Sequence, residues 1–214
     1  MTSTVTMSEE VNGKKTACGA IDKQLTRNQD AESHNNLGVT YHVQGRVDLA
    51  IGEYEKALNI NPGFADAHSN LGVAYYAQGN ADQAIKEFKE ALRIDPGLAQ
   101  THYNLGVAFK AIGYLGWAIA EFKDALDTDP NDAGTNFSLG EAYQNQGEHE
   151  KALEFYERYI KLAPGDDACY IRQAEEQIRQ LRAKVGTRLH DINQTASLGR
   201  ALDRHQSLPV LPVN

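Results

Sequence analysis

The sequence predicts an all-α chain, a solenoid of tandem antiparallel helix hairpins. Two observations carry this. The pair Leu-Gly recurs at Leu37-Gly38, Leu71-Gly72, Leu105-Gly106 and Leu139-Gly140, with a spacing of 34 residues each time. Other residues keep the same register. An aromatic follows each Gly by three (Tyr41, Tyr75, Phe109, Tyr143) and Ala comes nine later (Ala50, Ala84, Ala118, Ala152). A second aromatic follows four on (Tyr54, Phe88, Phe122, Tyr156), and a proline closes each unit (Pro62, Pro96, Pro130, Pro164). A fixed period of this length marks a stack of like supersecondary units.

Taken in order, residues 1–30 show no periodicity and are expected to be a mobile segment, with at most a short helix near Ile21 to Leu25. Four repeats follow, at 31–64, 65–98, 99–132 and 133–166. The first helix of each carries the Leu, Gly and aromatic. A glycine inside a helix costs roughly 1 kcal/mol relative to Ala. Its recurrence therefore implies a close approach by the second helix. Gly45, Gly79, Gly113 and Gly147 stand where that first helix must end in a left-handed residue. The second helix shows a helical apolar stripe, as in Ala84, Ile85, Phe88, Ala91 and Leu92. The proline then stops it. Residues 167–184 supply a capping helix, with Ile171, Ala174, Ile178 and Leu181 on one side. Tyr159 stands where the other repeats have Ala57, Ala91 and Ala125, so the cap is expected to dock differently from a fifth repeat. Residues 185–214 read as a flexible tail, ending in the extended run Leu208-Pro209-Val210-Leu211-Pro212-Val213.

These residues resemble the tetratricopeptide-repeat family, whose pattern is Leu-Gly, Tyr, Ala, Phe, Ala and Pro at fixed offsets. The resemblance covers residues 31–166. It implies a right-handed superhelical solenoid whose first helices line a concave groove for a partner. On that groove the resemblance places positions two, five, six, nine and twelve of each repeat, which are three or four apart and project together. Position six is Asn36, Asn70 and Asn104, then Ser138; position nine is Val39, Val73 and Val107, then Glu141. Positions five and twelve include Tyr103, Phe137 and Tyr76. An Asn amide both donates and accepts, so a row of them can hold an extended backbone without reading its sequence. The row is similar to the asparagine ladder in the repeat domain of O-linked N-acetylglucosamine transferase, with Ser138 breaking it. The family's other mode, capture of a C-terminal carboxylate by basic residues, is not expected. Position two is Glu32, Asp66, Gln100 and Gly134, and position nine is Val.

Charge agrees with a protein partner. The chain carries a formal −8, and residues 31–166 hold 10 basic against 20 acidic side chains, which disfavours nucleic acid. Cys18 and Cys169 form no C-x-x-C pair, so neither a disulfide framework nor a zinc framework is expected. The N-terminal residues lack the apolar core of a secretory signal, Cys18 is preceded by no apolar run of a lipoprotein anchor, and no stretch reaches about 18 apolar residues. A cytoplasmic protein without a membrane span is the expectation.

No cofactor, metal or catalytic site is expected. The phosphate-loop, dinucleotide and nucleophile-elbow motifs are missing from the sequence. His34, His68 and His102 recur at one position, but equivalent residues of successive repeats lie about 10 Å apart, too far for one metal. They are read as packing residues at the family's aromatic position. His149-Glu150 has no second His four residues on. Trp117 is read as a convex or inter-repeat packing residue. The expected function is an adaptor, scaffold or assembly factor that binds an extended peptide segment of another protein. A self-assembling scaffold, hence a homo-oligomer, and a non-catalytic subunit of an enzyme complex are the alternatives.

Overall fold

A computed structural model describes residues 4–164 and 168–186, with side chains from residue 23. The helices are α1 (Thr4–Val43), α2 (Val47–Ile60), α3 (Ala65–Ala77), α4 (Ala81–Ile94), α5 (Ala99–Ala111), α6 (Leu115–Thr128), α7 (Ala133–Gln146) and α8 (His149–Leu162). Residues 168–186 form a further helix, α9, and there is no strand among the described residues. Two compact units result, one holding α1 to α6 and the other α7 to α9.

In the first unit α1 pairs with α2, α3 with α4, and α5 with α6, while α3 also touches α1 and α5. The first helices of successive hairpins therefore lie side by side. Each hairpin turns at a glycine in the left-handed region: φ is 73° at Gly45, 81° at Gly79 and 83° at Gly113. That conformation turns the amides back onto the helix end, as when Gly79 N–H donates to Tyr76 O and Asn80 N–H to Tyr75 O, both at 2.9 Å. The step to the next hairpin is an Asx turn. Asn61 Oδ1 accepts from Gly63 N–H at 3.1 Å, and Asp95 Oδ1 from Gly97 N–H at 2.9 Å.

The helical glycines are the contact that closes each hairpin. A Cβ on Gly38, Gly72 or Gly106 would stand 2.5–2.6 Å from ring atoms of Tyr54, Phe88 or Phe122. All three rings are buried. Ala50, Tyr54, Leu71 and Ala74 share one apolar cluster, flanked by Tyr41, Ile51 and Tyr75. Residues of the first and second hairpins mix in it, so the core forms by stacking. Leu71 and Leu105 are buried, whereas Leu37 is 40% exposed because no earlier hairpin packs on it in this chain.

In the second unit Asp132 caps α7, its carboxylate accepting from Thr135 N–H at 2.6 Å. Gly147 ends α7 with φ 85°, and Gly140 lies under the Tyr156 ring. Helix α9 buries Ala174, Ile178 and Leu181, the side expected of the cap. Phe137 meets the rings of Tyr156, Tyr159 and Tyr170 edge-on, with centroids 5.5, 5.1 and 5.9 Å away. Tyr159 thus replaces the small Ala of other repeats with one wall of an aromatic cluster. Arg182 donates to Glu157 at 2.7 Å and Gln144 to Gln177 at 2.8 Å across the same unit.

The N-terminal expectation needs correcting. Helix α1 does not begin near Ala31 and the helix before it is not short: α1 runs from Thr4. The nucleus is already provided by the packed first hairpin. Residues 20–36 contain neither Pro nor Gly, so backward propagation meets no stop signal. Residues 187–214, including the Leu208 to Val213 run, lie outside the described residues. None of the helices among the described residues is long and apolar enough to cross a membrane.

Candidate peptide-binding groove

The first helices of the first unit carry the expected groove. Asn36 is exposed, while Asn70 and Asn104 are half-buried. Val39 and Tyr76 are exposed, and Val73, Val107 and Tyr103 are half-buried. Tyr103 faces inward far enough to set its ring 5.8 Å from that of Phe122. Phe137 belongs to the second unit and its aromatic cluster.

Two neighbouring clefts run along this face. One, of about 490 Å³, is lined by Asn35, Asp66, Ser69, Asn70, Gln100 and Thr101, together with residues 97–99. The other, of about 310 Å³, is lined by Asn28, Glu32, Asn35, Asn36, Asn61, Phe64 and Asp66. They share Asn35 and Asp66. Neither contains a Lys or Arg among its lining residues, so the surface is amide-rich and acidic.

The amides are not idle. Asn70 Nδ2 donates to Asn35 Oδ1 at 3.0 Å, and Gln100 Nε2 donates to Asn104 Oδ1 at 3.2 Å. Ser69 and Thr101 join their hydroxyls at 2.8 Å. Two of these bonds link successive repeats, through buried Asn35 and Thr101. An Asn has two N–H donors and a two-lone-pair acceptor. Asn70 therefore keeps capacity for a ligand while it latches two hairpins. Position five, Asn35 and Ser69, was the polar layer hardest to assign from sequence, because its partners lie one repeat away.

The recurring histidines are not simple packing residues. His34, His68 and His102 each set Nδ1 against a glutamate of the second helix: Glu53 at 2.6 Å, Glu87 at 2.7 Å and Glu121 at 2.8 Å. Lys56 also donates to Glu53 at 2.7 Å. The Lys56 hydrogen bond, and then that of His34, hold the Glu53 carboxyl below its usual range. In the fourth repeat the equivalent positions are Asn136 and Phe155. Both members change together, and that paired change was the sequence signal of a contact. Trp117, read as a packing residue, touches Phe109 with centroids 6.0 Å apart yet remains 64% exposed.

Known proteins agree with this architecture. A family described as TPR repeat matches residues 40–79 and 74–113, and ones described as tetratricopeptide repeat match 99–132 and 135–166. No curated protein matches the chain at a significant level. Among solved structures, a crystal structure of MamA is similar with 28% identity and a TM-score of 0.64, covering 79% of this chain and 96% of that one. A second MamA protein structure gives 27% identity and 0.67, covering 86% and 99%. The first TPR of Spaghetti (RPAP3), bound to an HSP90 peptide, is similar in fold at 22% identity and a TM-score of 0.55, covering 56% and 95%. With its period, its hairpins and its ring-on-glycine contacts all matched, this chain belongs to the tetratricopeptide-repeat family.

Proposed function

We propose that the protein is an interaction module that holds an extended, basic segment of a partner protein along the first helices of its first unit. The observation that carries this reading is the pair of adjoining clefts lined by Asn36, Asn35 and Asn70 and by the carboxylates of Glu32 and Asp66. Amides accept and donate to any peptide backbone. The carboxylates favour Lys or Arg on that backbone and repel an acidic tail. The acidic lining argues against the carboxylate-capturing mode, since Glu32, Asp66 and Gln100 occupy the positions where a cation is needed. A cytoplasmic setting is part of the proposal and suits two cysteines that form no paired motif.

The test is fluorescence anisotropy with extended peptide libraries of matched length that differ only in charge. Basic peptides should bind and acidic ones should not, with affinity falling as salt rises. Replacing Asn36 and Asn104 together by Ala removes two hydrogen bonds worth about 0.5–1.5 kcal/mol each, and so weakens binding roughly 5- to 150-fold with little change in melting temperature. Equal binding of acidic peptides, or unchanged affinity in the double variant, would overturn the proposal.

One observation favours a second reading, association of the chain with itself. Leu37, Val39 and Val43 are 40%, 39% and 82% exposed on the first hairpin, and the equivalent Leu of later repeats is covered by the hairpin before it. A second copy stacking there would cover the same surface. Light scattering that shows one mass at every concentration would remove this reading.

A further inference from the structure

The third repeat carries a cluster that the first two repeats do not. Ligand atoms of His102, Glu121 and Asp124 all lie within 4.8 Å of one another, a grouping of His and carboxylates found at this one place among the described residues. The imidazole is oriented by its far side: His102 Nε2 lies 3.2 Å from the Pro96 carbonyl oxygen, which can only accept. Nε2 therefore carries the hydrogen, and Nδ1 turns toward Glu121 Oε2 at 2.8 Å. Carbonyl-oriented imidazoles of this kind are the usual support behind a metal-ligating histidine. With Nε2 donating, Nδ1 and a carboxylate oxygen are two acceptors facing each other. Such a pair is held by a shared proton or by a cation.

The other repeats show what has changed. The residue at the Asp124 position is Lys56 in the first repeat, where its ammonium donates to Glu53 at 2.7 Å. In the second repeat it is Glu90, gripped by Arg93 through three bonds of 2.7–3.1 Å. In the third it is Asp124, and Asp127 stands in place of Arg93. The built-in cation of each earlier repeat is thus replaced by a carboxylate, while the His–Glu pair is kept.

We propose that His102, Glu121 and Asp124 bind a divalent transition-metal ion of the zinc class. One nitrogen and two carboxylate oxygens are ligands such an ion accepts. Ligand bonds of about 2 Å in a tetrahedral arrangement place ligand atoms about 3.3 Å apart, so small side-chain adjustments suffice. His102 and Glu121 are mostly buried, at 15% and 17% side-chain exposure, and come from α5 and α6. Asp124 lies at the solvent edge, which leaves a fourth position for water or a donor from a partner. The ion would replace the shared proton and pin the two helices of the third hairpin.

The experiment is titration of the full chain with Zn²⁺ by calorimetry and with Co²⁺ by visible absorption. The variants are Asp124→Asn and Asp124→Lys. The second copies the side chain of the first repeat, and both leave the His102–Glu121 pair and its buried surroundings intact. The expected result is a site on the natural chain with Co²⁺ bands of nitrogen and oxygen ligation, a zinc-dependent rise in melting temperature, and at least a tenfold loss of affinity in both variants with unchanged circular dichroism. Absence of Zn²⁺ binding to the natural chain, or equal binding and an equal thermal shift in both variants, would overturn the proposal, because ligation by histidines elsewhere does not depend on Asp124.

Discussion

Replacing Gly106 by Ala tests whether the ring-on-glycine contact closes the hairpin. The new Cβ would lie 2.6 Å from both Cδ1 and Cε1 of Phe122, a ring with no exposed surface and so no room to retreat. Forcing the pair apart is an overpacking change of about 1–3 kcal/mol. Against it stands the backbone gain of Ala over Gly in a helix, about 0.5–1 kcal/mol. Gly52 provides the control, since it sits inside α2 with nothing within 4 Å of a Cβ. Gly52→Ala should be stabilising by about 0.5–1 kcal/mol, and Gly106→Ala should be destabilising by up to about 2 kcal/mol. The backbone term largely cancels in the difference between the two variants, which isolates the ring contact at about 1–3 kcal/mol. Urea denaturation followed by helical circular dichroism measures both. If Gly106→Ala is as stable as the natural chain or more so, the contact is not tight and the reasoning fails.

Two further outcomes follow from the same geometry. Glu87→Ala leaves the half-buried His68 Nδ1 without its carboxylate and should cost about 1–3 kcal/mol by urea denaturation. The double change His68→Asn with Glu87→Phe copies the fourth repeat and should recover part of that loss; a simple sum of the two single losses would refute the coupling. Burial pushes the Tyr54 phenol up to about 12 from an ordinary 10, so the folded state favours the neutral ring. That contribution is complete below the unfolded value and is lost as pH rises from about 10 to 12, amounting to about 2.7 kcal/mol. Tyr54→Phe, the residue type found at Phe88 and Phe122, should therefore resist alkaline unfolding better than the natural chain. Equal alkaline midpoints would count against it.

Much of the fold was legible because one physical unit is written four times. Leu-Gly, the paired aromatics and the closing proline identify hairpins before any contact is known, and the apolar side of α9 marks the cap. What escaped has specific causes. The extent of α1 carries no periodic signal, since its growth depends on a nucleus elsewhere in the chain. The boundary between Pro130 and Asn131 is hidden by a period that runs through it unchanged. The groove face was readable as a row of Asn, but Asn70's bond to Asn35 depends on how one hairpin rotates on the next. The histidines were read by size, which hid their hydrogen-bonding function. Their glutamate partners lie 19 residues on each time, and both members are exchanged together in the fourth repeat.

The glycine beneath each ring also governs how the chain can change in length. From Gly38 to Tyr54, Gly72 to Phe88, Gly106 to Phe122 and Gly140 to Tyr156 the interval is sixteen residues every time. Each ring has one floor on which it fits, because the helix positions beside every glycine carry side chains. A residue inserted between floor and ring would rotate the second helix by about 100° and turn its apolar stripe outward. The stretch from ring to the next glycine includes the Asx turn, where backbone can be added without moving any ring off its floor. Insertions and deletions are therefore confined to one half of the repeat, and the hairpin, rather than the single residue, is the unit by which this chain can lengthen or shorten.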